Sequence, residues 1–381
     1  MISSREFRRI YFMQVLLAVA DAFALNFMAL YLVGLGYRLD QIILAALLGF
    51  SVPVVLIALM RSARAKISFS VAFAAKIAAY LIALFWLSPS TMKFIYISNA
   101  LVLVFFWIPY NLEFFAFATE KNRAYSGSIA IGIYPLVGLA VPPLAGYVWH
   151  TQGFIINVVI SVLILAGSVI YMLFNKAIKF RQFGYSIKDS LRSLRRYRTL
   201  FFLQGVWEAS SFIGVPLLTL LFVRTELRLG LFLSYLGALS VVSTIMLSRL
   251  SDRRGSRTAF IYPALIVTGV ATISLHFAGT FLLWLLFVGI VNFMGVLTTP
   301  FLIAVALDAE VTGITMWAGR ELLLNLGRSV GGALLLLTYR YSDNPRFAFA
   351  ILGSALLVYA VVLHLKRIYP RVRIIPAQPA R

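Results

Sequence analysis

Long apolar runs separated by short polar breaks dominate the chain. They fall at 10–34, 40–60, 67–88, 93–119, 125–149 and 152–175, and again at 199–223, 228–248, 257–278, 281–307, 312–339 and 345–366. A helix needs about 20 apolar residues to cross the roughly 30 Å hydrocarbon core of a bilayer. The pattern therefore predicts an all-α membrane protein with twelve transmembrane helices. Between the two sets lies Lys176–Arg198, the longest hydrophilic stretch, with eight basic residues. The expected organisation is a six-helix bundle over 1–175, a basic linker over 176–198, a second bundle over 199–366 and a basic tail over 367–381. The first run, from Ile10, has a short basic leader but no small-residue cleavage site, so it reads as a retained helix.

Composition narrows the function classes. With 61% hydrophobic and 12% charged residues, the chain lies far from the roughly 45–50% apolar, 25% charged balance of soluble domains. That leaves little room for a folded ectodomain or catalytic head. The absence of cysteine removes disulfides, thiolate metal sites and cysteine nucleophiles. His150, His276 and His364 are scattered near span ends without metal-ligand spacing. No Walker-type phosphate loop or Gly-x-Ser-x-Gly nucleophile context occurs. The expectation is a protein that is not an enzyme, without cofactor or metal, and not driven directly by ATP.

The net charge of +21 takes its meaning from topology. With both termini cytoplasmic, 25 Lys/Arg fall on the cytoplasmic side, 6 outside (Arg38, Lys93, Arg224, Arg228, Arg340, Arg346) and 3 within spans (Lys76, Arg320, Arg328). This asymmetry is the positive-inside pattern of a multi-pass protein in the cell membrane. The basic surplus then faces anionic inner-leaflet lipids rather than nucleic acid.

The two halves also look like copies. An offset of 187 carries Asp21 onto Glu208, and Arg61–Ser68 onto Ser248–Gly255. Near an offset of 189, Leu136-Val137-Gly138 and Val141-Pro142-Pro143 meet Asn325-Leu326-Gly327 and Val330-Gly331-Gly332. A parallel repeat of half the chain length is a transporter feature.

After the eighth run the sequence reads Ser248-Arg249-Leu250-Ser251-Asp252-Arg253-Arg254-Gly255-Ser256-Arg257. This resembles the loop signature of the major facilitator superfamily, with Ser248 where that signature has glycine. The equivalent loop of the first half has decayed to Ala65-Lys66-Ile67-Ser68. Gly138-x3-Pro142-Pro143-x2-Gly146 is similar to the family's glycine- and proline-rich fifth helix. The resemblance implies two bundles rocking about a central cavity lined by spans 1, 4, 7 and 10, with spans 5 and 11 between the halves. It also implies a cytoplasmic latch built from Asp252, Arg253, Gly255 and Arg257, with Asp252 facing the start of span 5 near Ser126-Gly127-Ser128.

Ionisable groups inside spans supply the candidate chemistry, because insertion of an aspartate at mid-helix costs about 2.5–3.5 kcal/mol. Asp21 and Glu208 sit at matching mid-depth positions in spans 1 and 7, and Glu113 lies nearer the cytoplasmic end of span 4. Gln204, Glu208 and Ser211 share a helix face, as do Gln14 and Asp21. Trp207 adjoins that face as a surface for stacking, and Asn111 and Asn292 complete the cavity set. An interhelical pair for Asp21 and Glu208, and an interfacial position for Glu113, are the structural alternatives. In span 11, Glu321, Asn325 and Arg328 form one stripe beside Arg320, with Arg328 able to pair with Glu321 through Asn325; the stripe reads as a structural or gating network between halves rather than a direct substrate contact. Lys76 reads as snorkelling or held by one interhelical partner. Asp308 and Glu310 are expected to pair with the basic loop 249–257.

Together these features predict a monomeric secondary transporter for a small solute, working by alternating access and coupled to protons or another cation. The acids lack a basic partner on spans 1, 4, 7 or 10, which leans the expectation toward export of cationic or amphiphilic compounds. A proton symporter for a neutral nutrient and a non-transporting membrane sensor with a transporter fold are the alternatives.

Overall fold

A computed structural model describes residues 5–60, 62–115, 123–174, 182–253, 258–307, 313–342, 344–366 and 368. The first half of the chain forms α1 (Arg5–Phe23), α2 (Leu25–Gly34), α3 (Leu39–Leu59), α4 (Ala65–Phe85), α5 (Met92–Val102), α6 (Ile108–Phe115), α7 (Arg123–Gln152) and α8 (Phe154–Phe174). The linker contributes α9 (Ile187–Ser193). The second half forms α10 (Arg198–Ala209), α11 (Val215–Leu218), α12 (Glu226–Arg253), α13 (Thr258–Ser274), α14 (Phe281–Leu307), α15 (Ile314–Tyr341) and α16 (Ala348–Leu365). Among the described residues, 11 helical segments are long and apolar enough to cross a membrane, and Ile261–Phe277 is a shorter apolar helix. The protein is a multi-pass membrane protein.

Three spans are built in pieces, α1–α2, α5–α6 and α10–α11, and proline explains the last two. Pro109 and Pro216 cannot donate to the carbonyls four residues earlier, those of Phe105 and Phe212. Both carbonyls fall inside π-helical turns, Leu103–Trp107 between α5 and α6 and Ser210–Gly214 between α10 and α11. Such turns widen the helix and concentrate at functional sites. Here both face the cavity described below.

Two helix pairs join the halves of the chain: α3 packs on α15, and α7 on α12. Glycine lets the second pair meet backbone to backbone. A Cβ on Gly237 would lie 2.3 Å from the Leu139 nitrogen, and one on Gly146 2.8 Å from the Glu226 carbonyl oxygen. Within the second half, α10 and α15 touch as closely, Gly327 against the Phe202 carbonyl. The small-residue positions thus allow close van der Waals contact in a setting where lipid gives helices no hydrophobic reason to associate.

The linker departs from the all-helical expectation. Strands β1 (Ser62–Arg64) and β2 (Gln182–Gly184) pair antiparallel, Ser62 opposite Gly184 and Arg64 opposite Gln182. Tyr185 then donates to the Ile57 carbonyl at 3.0 Å, and α9 packs on α15, with Ser190 and Leu194 against Gly319. The hydrophilic segment is therefore docked on both halves. The stretch after the eighth run differs as well: α12 continues through Arg253, so Asp252 and Arg253 occupy a helix end rather than a loop. Gly255, Arg257, Asp308 and Glu310 lie outside the described residues, as do the side chains of 247–260.

Candidate functional site

A cavity of about 440 Å³ lies between the two halves. Its wall includes Asp21, Asn26, Lys76, Asn99 and Trp107 from the first half, and Ser211, Phe212, Asn292 and Arg328 from the second. Phe50 of α3 also lines it. The volume suits a small organic molecule, and the mixture of aromatic surface with a few amides and charges is that of a ligand pocket.

Each half brings one buried acid–base pair to this region. In the first, Lys76 of α4 is ion-paired with Asp21 of α1, and Tyr80, one turn along α4, donates to the same Asp21 oxygen at 3.3 Å. Lys76 is only 1% exposed, so its charge depends on this partner. In the second, Arg328 of α15 sends Nε and Nη2 to Glu208 Oε2 of α10 at 2.8 and 2.5 Å. Gln204, one turn before Glu208, donates to its other oxygen at 2.7 Å. The guanidinium also lies over the rings of Phe50 and Phe212, 5.7 and 5.1 Å from their centroids. Arg328 is thus clasped by an aromatic ring from each half.

The stripe on α15 pairs along its own face as its spacing predicts, and it also reaches a closer partner on another helix. Arg328 takes Glu208 as its close partner and stays 3.7 Å from Glu321, which is held by neighbouring Arg320 at 2.8 Å. Asn325 accepts from Arg328 Nη1 at 3.3 Å and donates to the Glu321 carbonyl at 2.7 Å. The i, i+7 geometry puts Arg328 and Glu321 on one face, but α10 approaches that face more closely than a second turn of the same helix can.

The predicted residues divide clearly. Asp21, Asn292 and Arg328 line the cavity, while Glu208, Gln204 and Asn325 stand behind Arg328. Asn292 anchors itself by donating to the Leu236 carbonyl and the Ser240 hydroxyl. Trp207 points elsewhere: its indole donates to Thr272 at 3.2 Å, within an apolar cluster containing Ile261, Leu265 and Leu356. Asn111 and Glu113 sit on α6, outside the cavity wall, with Glu113 buried. Sequence reasoning missed Phe50, Phe212, Trp107, Asn26 and Asn99, and gave Lys76 a passive role. Pro109 and Pro216 were the signal available for Trp107 and Phe212, since each marks a distorted turn containing the aromatic.

Two further polar contacts bridge the halves near the ends of the interface helices. Asp40 of α3 accepts from Arg340 of α15 at 3.1 Å, and also from Arg38. His150 of α7 contacts Glu226 of α12 at 2.7 Å. No group of three or more potential metal ligands occurs among the described residues.

Comparison by structure finds the human organic anion transporter MFSD10 (TETRAN), with a TM-score of 0.62 over 95% of this chain and 100% of that one, at 14% identity. The fold is that of the major facilitator transporters. Neither the scan against protein families nor the search of curated proteins by sequence finds a match. At this level of identity the likeness concerns the fold alone.

Proposed function

We propose that the protein is a secondary active transporter that moves a small amphiphilic solute across the cell membrane by alternating access, coupled to protons. It works as a monomer of twelve spans in two six-helix halves, with both termini cytoplasmic. The observation that carries this reading is the cavity between halves, with one carboxylate held by a buried base on each side. A carboxylate in such a setting is an exchangeable charge: a proton breaks its ion pair, and exposure to either side in turn lets the proton leave. Asp21 and Glu208 are the coupling residues of this proposal. Asp252, Arg253, Gly255 and Arg257 remain its cytoplasmic latch.

The pairing alters the expected substrate charge. Basic partners arrive from α4 and α15, outside the four spans weighed from sequence, and leave neither Asp21 nor Glu208 free for a cationic solute. The test is proton flux in liposomes containing the purified protein and an internal pH dye, challenged with organic cations, organic anions and sugars. Solute-triggered flux that Asp21→Asn or Glu208→Gln abolishes supports the proposal. Solute uptake that moves no protons would remove coupling, and no flux by folded protein with any solute would remove transport.

A further inference from the structure

The balance of charge behind the cavity wall points to a substrate class, on the premise that the transporter reading holds. Glu208 and Arg328 neutralise each other, as do Asp21 with Lys76 and Glu321 with Arg320. Arginine does not deprotonate in proteins. A proton on Glu208 therefore leaves Arg328 with only its longer 3.7 Å contact to Glu321, which Arg320 already neutralises, and so leaves one excess positive charge at the cavity wall. An uncompensated buried charge is costly. An anion entering the cavity restores neutrality, whereas a cation adds to the excess.

Two details fit Glu208 as the proton site and Arg328 as the anion site. Among the described residues, the buried Gln204 Oε1 has no hydrogen-bond partner, although the same amide's nitrogen donates to Glu208. Turned by 180°, this amide accepts a hydrogen bond from a protonated Glu208, so one side chain serves both states. On the other side, Phe50 and Phe212 flank the guanidinium with ring centroids 5.9 Å apart, offering apolar surface to the body of a ligand whose charge meets Arg328. A carboxylate matches the guanidinium fork in a bidentate fashion.

We infer that Arg328 binds a small organic monoanion, a carboxylate on an apolar body, which enters together with a proton taken up by Glu208. Anion and proton bind cooperatively because each removes the other's electrostatic obstacle, and linkage makes the effect reciprocal. The charged groups facing Glu208 from α15 are Arg328, with Arg320 and Glu321 further along the same helix. From α16, Tyr359 packs in the Trp207 cluster, and α3 contributes the uncharged Phe50 and Ser51. Asp21, Lys76 and Tyr80 form their own group across the cavity.

The experiment is equilibrium binding to the purified full chain in detergent, with benzoate as the probe and a pH dye counting protons in weak buffer. Benzamide and benzylammonium are the neutral and cationic controls. Between about pH 6 and pH 8, where benzoate stays ionised, its affinity rises as pH falls, by up to about tenfold per unit, with up to about one proton taken up per anion. Glu208→Gln mimics the protonated state: it binds benzoate as tightly as the wild type at low pH, with no proton uptake and no pH dependence. Arg328→Gln loses benzoate binding. Benzoate binding without proton uptake overturns the inference, as does uptake persisting in Glu208→Gln, or millimolar benzoate, 1-naphthoate and benzenesulfonate all failing to bind. Should Glu208→Gln not fold, the wild-type proton count decides alone. Because no flux is measured, a failure here leaves the transporter reading standing, and proton-linked binding without flux in liposomes removes only that reading.

Discussion

Gly237→Ala isolates the contact between α7 and α12. The added Cβ would lie 2.3 Å from the Leu139 nitrogen, 2.4 Å from the Gly138 carbonyl carbon and 2.7 Å from its oxygen. All three are main-chain atoms, so no rotamer change relieves the overlap. Carbon atoms pack at about 3.5–4.0 Å, so the helices must part by about 1 Å at this point. Overpacking of this kind costs about 1–3 kcal/mol, here toward the upper end because both sides are backbone. Alanine regains about 0.5–1 kcal/mol of helix propensity over glycine. The difference, about 2 kcal/mol, corresponds to about a 30-fold change in an equilibrium constant. It burdens only conformations in which the two backbones meet. The cysteine-free chain permits spin labels at His150 and Glu226, near the ends of the same helices. The ratio of joined to parted distances should fall about 30-fold in Gly237→Ala. Gly132→Ala is the control: it lies in α7, the other helix of the pair, and its Cβ meets nothing within 4 Å. Identical distance distributions and melting temperatures in the two variants would refute the reasoning.

Asp21→Asn leaves Lys76 buried without its anion. It should lower stability in detergent by about 3–5 kcal/mol, with Asp21→Asn/Lys76→Met regaining most of the loss; a double variant no more stable than Asp21→Asn would contradict the pairing. Trp107→Phe, on the cavity wall, should change the KM of solute flux. Trp207→Phe should leave KM unchanged while losing about 1 kcal/mol with its hydrogen bond to Thr272. The opposite ranking in flux assays would return Trp207 to the site. Burial pushes the Tyr185 phenol up to about 12, so the anchoring of the linker to Ile57 persists below the ordinary tyrosine value and is lost as pH rises from about 10 toward 12. Hydrogen exchange across 182–193 should show this loss, and Tyr185→Phe should weaken protection already at neutral pH.

Much of the architecture was legible along the chain because a bilayer imposes its thickness on sequence. α3, α8 and α14 are apolar almost throughout, and no water is available in the membrane to satisfy a broken backbone ladder. Element ends were less legible. α12 extends through Arg253 because helical bonding continues past the point where the residues turn polar. The two strands at 62–64 and 182–184 are each three residues long and carry no periodic signal; each exists through the other, over a separation set by the fold.

The sequence by itself determined that this is a membrane protein of about a dozen apolar runs. Helical spacing also placed Gln204 beside Glu208, and the 2.7 Å contact between them follows from that local geometry. Only the tertiary structure decided which charges meet. Lys76 reaches Asp21 across 55 positions and Arg328 reaches Glu208 across 120, while spacing within one helix accounts only for the longer Arg328–Glu321 contact. Trp207 likewise turned to Thr272 because α13 packs on that side of α10. The physical reason is range. Hydropathy and helical periodicity act over a few turns and are written in consecutive residues, while an ion pair depends on which helices lie against each other and at what rotation.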